Sequence, residues 1–186
     1  MATLPAISEI PRHHPECCLS LSTKLIQAIG QRQSHGSTVI SIGSGSGLLE
    51  TLIQQRYSTV RVIGLEVNNL VNKYLPPENA VTVKGTWDIY NKSSEYNTWL
   101  FVYPRSPKLI SSYLELPMVP YTIIWLGPRK DWDDFRTPFV ASEFKLEEIE
   151  DAGLVHYETM VLMTKESSLS SADGFVPLSK SQIDEI

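Results

Sequence analysis

Three glycines at alternate positions, Gly43, Gly45 and Gly47, with Ser44 and Ser46 between them, are the residues of this chain best suited to holding a ligand against the main chain. Val39-Ile40-Ser41-Ile42 precedes them, an apolar and mostly β-branched run of the kind that forms a buried parallel strand. Leu48, Leu49, Leu52 and Ile53 follow at helical spacing, leaving Glu50, Gln54 and Gln55 for the polar side. The stretch predicts a strand, a glycine turn and a helix. Such a turn needs backbone angles that a Cβ forbids, and it lets a ligand come close to the main chain. The free N–H groups that open the helix then face whatever sits on the turn. A carboxylate belongs with this turn. Val60-Arg61-Val62-Ile63-Gly64-Leu65 reads as the next buried strand and ends in Glu66, about twenty residues beyond the turn, where an acidic side chain can accept both hydroxyls of a ribose. The plainer alternative for Glu66 is a solvated carboxylate at a strand end.

The spacing narrows the ligand. A dinucleotide fingerprint wants G-x-G-x-x-G, but here the third glycine comes one residue early and Leu48 stands in its place. No Gly-Lys-Ser/Thr closes the turn, which excludes a phosphate-cradling P-loop. The G-x-G-x-G after a strand resembles motif I of the class I S-adenosylmethionine-dependent methyltransferases, and Val62-Ile63-Gly64-Leu65-Glu66-Val67 resembles their motif II. The resemblance covers residues 16–165 and implies S-adenosylmethionine as cofactor, held by Ser41, Gly43, Ser44, Gly45, Gly47, Glu66 and Val67. It also implies that the turn after the third strand, Thr86-Trp87-Asp88, takes the adenine. Trp87 offers a stacking face there, or packs into the core; Asp88 offers an acceptor for the exocyclic amine.

The implied fold is an α/β, three-layer Rossmann-like sandwich: a mostly parallel sheet, helices on both faces and an antiparallel strand near the C-terminus. The chain departs from the family's pattern in three places. Ser41 stands where an acidic residue commonly precedes the first glycine by two positions. The motif IV region, Tyr103-Pro104-Arg105-Ser106-Pro107, has neither a carboxylate nor the signature of enzymes that methylate nitrogen. The end of the chain looks short for the usual pair of closing strands. Methyl transfer from a sulfonium is an in-line displacement, accelerated chiefly by holding donor and acceptor in contact, although oxygen nucleophiles of high pKa profit from a base. His13, His14, Asp88 and Tyr103 are the candidates for that base, with His14 and Tyr103 put forward as catalytic. The expectation is a methyltransferase acting on a small molecule. The alternative is a catalytically inactive, methyltransferase-like binding or regulatory subunit.

The elements that must position these residues follow from the rest of the chain. Its 186 residues fit one domain, 1–186, with an irregular arm over 1–15 that carries Pro5, Pro11 and Pro15, and a polar tail over 166–186. Helical spacing at Leu21, Leu25, Ile26 and Ile29 predicts a helix stopped at Gly30. Further expectations are a short helix over 68–74, a strand over 80–83, a strand over 99–103, a helix over 108–116 and a strand over 121–126. An amphipathic helix is expected over 143–152, then one long or two short strands over 154–164. A net charge of −5 without a basic stripe argues against DNA as partner and makes RNA the poorer choice. A small-molecule substrate fits better, and a protein partner stays open. His13-His14-x-x-Cys17-Cys18 lacks the spacing of a metal site, because adjacent ligands point apart. No signal-peptide pattern opens the chain and no apolar run reaches the roughly 20 residues that span a bilayer, so a cytoplasmic protein without membrane contact is expected.

Overall fold

The computed structural model describes residues 2–140 and 142–165. The polar tail expected over 166–186 lies outside the described residues.

The apolar runs of the sequence become strands of one sheet. These are β3 (Thr38–Ile42), β4 (Arg61–Glu66), β5 (Ala80–Thr82), β6 (Thr98–Val102), β7 (Thr122–Pro128), β8 (Lys145–Ile149) and β9 (Glu158–Thr164), and a hairpin of β1 (Arg12–His14) and β2 (Cys17–Leu21) precedes them. The seven strands lie in the order β5-β4-β3-β6-β7-β9-β8. β3 to β7 are parallel, and β9 runs antiparallel between β7 and β8. The chain moves outward from β3 through β4 to β5, then returns to β3's other side for β6 and β7. That reversal opens a crevice at the carboxyl ends of the central strands, where open α/β sheets bind ligands.

Alternation along each central strand feeds two separate cores, since successive side chains point to opposite faces. Val39, Leu100, Ile124 and Leu126 pack on one face with α1 (Thr23–Gly30) and α2 (Leu48–Arg56). Ile40, Trp99, Phe101, Ile123 and Trp125 pack on the other with α3 (Pro107–Leu114), α4 (Trp132–Phe135) and α5 (Thr137–Val140). The three-layer Rossmann-like architecture is the one expected.

Four local expectations are corrected. Residues 12–14 of the arm pair with β2 rather than staying irregular. Leu21 belongs to β2, and α1 begins at Thr23 with Ser22 as its cap, whose hydroxyl accepts the Leu25 N–H at 3.0 Å. The helix expected over 68–74 is a single 3-10 turn at Asn69–Val71. Asn68 and Asn72 accept the backbone N–H groups of Leu70 and Leu75 and so hold the segment in turns, while Pro76 and Pro77 leave no length for more. The helix expected over 143–152 is strand β8. Leu146 and Ile149, three apart, read as one helical stripe, but on a strand they face opposite sides: Leu146 packs against one core and Ile149 against the other. β8 and β9 therefore form the closing pair that the chain looked too short to supply. Among the described residues no helix is long and apolar enough to cross a membrane.

Candidate cofactor and active site

A cleft of about 960 Å³ opens at the carboxyl ends of β3, β4 and β6. Its lining joins the glycine turn, Glu66-Val67, the turn over 85–88 and the loop over 102–105 with residues 15–18 of the N-terminal hairpin.

The end of the cleft at the glycine turn is built locally. The N–H groups of Gly43 and Ser44 both donate to the Leu65 carbonyl at 3.0 Å, tying the turn to β4. Of the turn's glycines, two do different work. A Cβ on Gly45 would meet nothing within 4 Å, so its side opens on the cleft. A Cβ on Gly47 would lie 2.8 Å from Leu75 Cγ and 2.9 Å from Asn72 Oδ1, so this glycine is required by packing. Both have positive φ, 55° and 78°. Glu66 sits across from the turn with its carboxylate bridging two amides: Gly45 N–H donates to Oε2 at 2.9 Å and Val67 N–H to Oε1 at 2.7 Å. Val67, with 38% of its surface exposed, supplies an amide and a wall rather than a polar contact.

Ser41 is fully buried one layer behind the turn, where its hydroxyl donates to Glu50 Oε1 at 2.6 Å. Glu50, from the first turn of α2, lines the cleft and is 1% exposed. Its Oε2 has no hydrogen-bond partner among the described residues. Burial pushes the Glu50 pKa up to about 7, with the Glu66 carboxylate adding to the rise. Reading the sequence left Glu50 on the polar side of a helix. The signal that could have found it was a carboxylate in the first turn of that helix, within reach of the strand position where an acid is missing.

The turn over 85–88 divides its candidates. Thr86 and Asp88 line the cleft. Asp88 Oδ2 accepts the Lys84 N–H at 2.8 Å and so also closes the turn. Trp87 is 76% exposed, lies over Gly85 and is not on the cleft lining, so neither the core nor the pocket holds it.

The other end of the cleft is assembled from distant segments. Tyr103 lines it with φ of 47°, an uncommon conformation for a bulky residue. Its hydroxyl donates to Glu158 Oε1 at 2.6 Å, and burial followed by that hydrogen bond raises the phenol's pKa. Glu158, fully buried, also accepts the Ser20 N–H at 3.1 Å and the Ser20 hydroxyl. His13 stacks on Tyr157, meets its hydroxyl at 2.6 Å and stands 3.7 Å from Glu158 Oε1. His14 lies off the lining, its Nδ1 accepting the Glu16 N–H at 3.2 Å. Cys17 and Cys18 are free thiols on the cleft wall, and burial pushes the Cys17 pKa up to about 12, so that thiol stays protonated. The fold thus brings Tyr103 to the cleft and leaves His14 outside it. Glu158, in a strand 55 residues beyond Tyr103, gave no sequence signal.

Solved structures share this fold. The TehB-like SAM-dependent methyltransferase from Corynebacterium glutamicum superposes with a TM-score of 0.59 at 12% identity, over 77% of this chain and 88% of that one. The precorrin-6y C5,15-methyltransferase from Geobacter metallireducens gives 0.60 at 11%, over 88% of this chain and 100% of that one. A dimethyladenosine transferase from Plasmodium falciparum gives 0.51 at 12%, over 77% of this chain and 60% of that one. No protein-family profile matches the chain, and no curated protein matches it. The fold is the Rossmann-like fold that these methyltransferase structures share.

Proposed function

We propose that this protein binds S-adenosylmethionine in the cleft and transfers its methyl group to a small molecule. The observation that carries the reading is the convergence of the Gly45 amide and the Glu66 carboxylate, at 2.9 Å, on a cleft that Gly45 leaves open. A carboxylate already oriented by two amides is a preformed acceptor for ribose hydroxyls, because each of its oxygens keeps a free lone pair. The bare side of Gly45 leaves room for the ligand beside the main chain, and Thr86 and Asp88 border the place where the base would lie. When bound, the cofactor supplies an electrophilic methyl on sulfur. The chain's part would be to position it: the Glu66 end would hold the adenosine, and Tyr103, Cys17 and Cys18 would form the wall against which the acceptor meets the methyl.

The acceptor end favours a small molecule. It is a concave cleft with residues 15–18 of the N-terminal hairpin on its wall, and the chain's net charge of −5 offers no steering field for a nucleic acid. Calorimetry with S-adenosylmethionine and S-adenosylhomocysteine tests the cofactor. Micromolar binding of both with turnover on an acceptor is the expected outcome. Binding without turnover on any acceptor favours the inactive binding or regulatory subunit, and no binding overturns the reading.

A further inference from the structure

We propose that Glu50 holds the ammonium group of the cofactor's amino-acid half, taking over from helix α2 the charge that the strand position at Ser41 does not carry. This rests on the proposed S-adenosylmethionine site and names one of its contacts.

A carboxyl group on the wall of a cleft, 1% exposed and with one oxygen lacking a partner among the described residues, is costly unless something satisfies it. Ser41 satisfies only Oε1, at 2.6 Å, and orients the group. An ammonium ion offers what Oε2 lacks, a charged donor, and an ion pair formed in a poorly hydrated site is stronger than one in water. The ligand's two halves then meet two different carboxylates: Glu66 at the tip of β4 takes the ribose and Glu50 takes the cationic pole. The other charged and titratable groups around Glu50 do not compete for its free oxygen. Glu66, from β4, offers no donor, and its two oxygens accept from the Gly45 and Val67 amides. Cys17, from β2, is a neutral thiol over the working pH range. Of the basic residues on the cleft, Lys73 is paired with Glu16 at 2.7 Å, and Arg105 stands on the loop after β6.

A proton count follows. With a pKa of about 7 in the free protein, Glu50 is mostly protonated at pH 6.5. An ammonium partner favours the carboxylate, so binding expels a proton at that pH. The ligand's own amine, with an ordinary value near 8, is already charged there and contributes none.

The test compares two ligands that share the adenosine and the thioether. S-adenosylhomocysteine carries the ammonium; 5′-methylthioadenosine does not. Calorimetry at pH 6.5 is run in buffers of different ionisation enthalpy on the wild-type protein and on Glu50→Gln. The expected result is proton release on binding S-adenosylhomocysteine and none with 5′-methylthioadenosine. Glu50→Gln is expected to abolish that release and to weaken S-adenosylhomocysteine by about 10- to 100-fold, leaving 5′-methylthioadenosine within about twofold. Equal effects on the two ligands, or undiminished affinity for S-adenosylhomocysteine, overturn the assignment. If Glu50→Gln does not fold, the wild-type titration decides alone, and the absence of proton release overturns it. Wild-type protein that binds neither ligand instead fails the cofactor reading itself, a distinguishable outcome.

Discussion

The two ends of the cleft are built by different means. At the glycine-turn end, the hydrogen bonds that set Glu66, Glu50 and the start of the turn are made between residues of one strand–turn–helix unit and the next strand: Gly45 to Glu66, Ser41 to Glu50, Gly43 and Ser44 to Leu65. At the Tyr103 end, proposed to take the acceptor, Tyr103 after β6 is held by Glu158 of β9, which also ties down Ser20 of β2. The first end is a local device whose parts are close in sequence. The second exists only when the N-terminal hairpin and the last strand have docked. A local device should lose binding when damaged and keep its fold, whereas the docked one should lose stability first.

Ways to break that contrast run from large effects to small. Glu158→Ala strands the buried Ser20 amide and hydroxyl and releases the Tyr103 hydroxyl on the cleft wall, so a loss of about 2–4 kcal/mol of unfolding free energy is expected by denaturant titration. If the chain stays as stable as wild type, the acceptor end is not held by this carboxylate. Gly47→Ala drives a Cβ into Leu75 at a φ of 78°, and should cost about 2–4 kcal/mol of stability. Gly45→Val has open space and pays only the backbone strain, yet its side chain fills the cleft; a folded variant with an intact S-adenosylhomocysteine isotherm would remove the turn from the site. Glu66→Ala should weaken cofactor binding by about 1–3 kcal/mol with little change in melting temperature, and an unchanged titration would take Glu66 out of the pocket. Smallest is Trp87→Ala: with a side chain so exposed, stability should move by less than about 0.5 kcal/mol.

Glu50 adds a pH signature that sharpens the contrast. Its folded pKa, about 7, lies above the ordinary carboxylate value of 4.5. The unfolded chain therefore releases this proton at lower pH than the folded one, and the folded state loses stability as pH rises from about 4.5 to 7, after which the loss is complete. Glu50→Gln removes that slope, so the variant should be more stable than wild type at pH 8 by chemical denaturation. A variant that gains stability while binding S-adenosylhomocysteine less well would mark Glu50 as a group kept for its ligand at the fold's expense.

Much of the adenosyl end was legible because glycine spacing, a β-branched run and a carboxylate at a strand tip are each local consequences of backbone geometry. Glu50 was not, since helical periodicity assigns a residue to a polar side without saying that the side faces a cleft. The segment over 143–152 misled for a related reason: Leu146 and Ile149 satisfy helical spacing equally well when they flank a strand that touches both cores. The short helix expected over 68–74 gave way to asparagine side chains that took the backbone N–H groups first.

By itself, the sequence determined the alternation of strands and helices, the parallel sheet and the place of the glycine turn, because these depend on period, β-branching and permitted φ, which neighbouring residues set among themselves. Only the tertiary structure decided that Ser41 bonds to Glu50 on the cleft wall, that β8 is a strand, and that Tyr103 rests on Glu158 while His14 stays outside the cleft. Those outcomes turn on which surfaces meet once the elements have docked, whether the partners are nine residues apart, as Ser41 and Glu50, 55 apart, as Tyr103 and Glu158, or 138 apart, as Ser20 and Glu158, and no local pattern encodes that meeting.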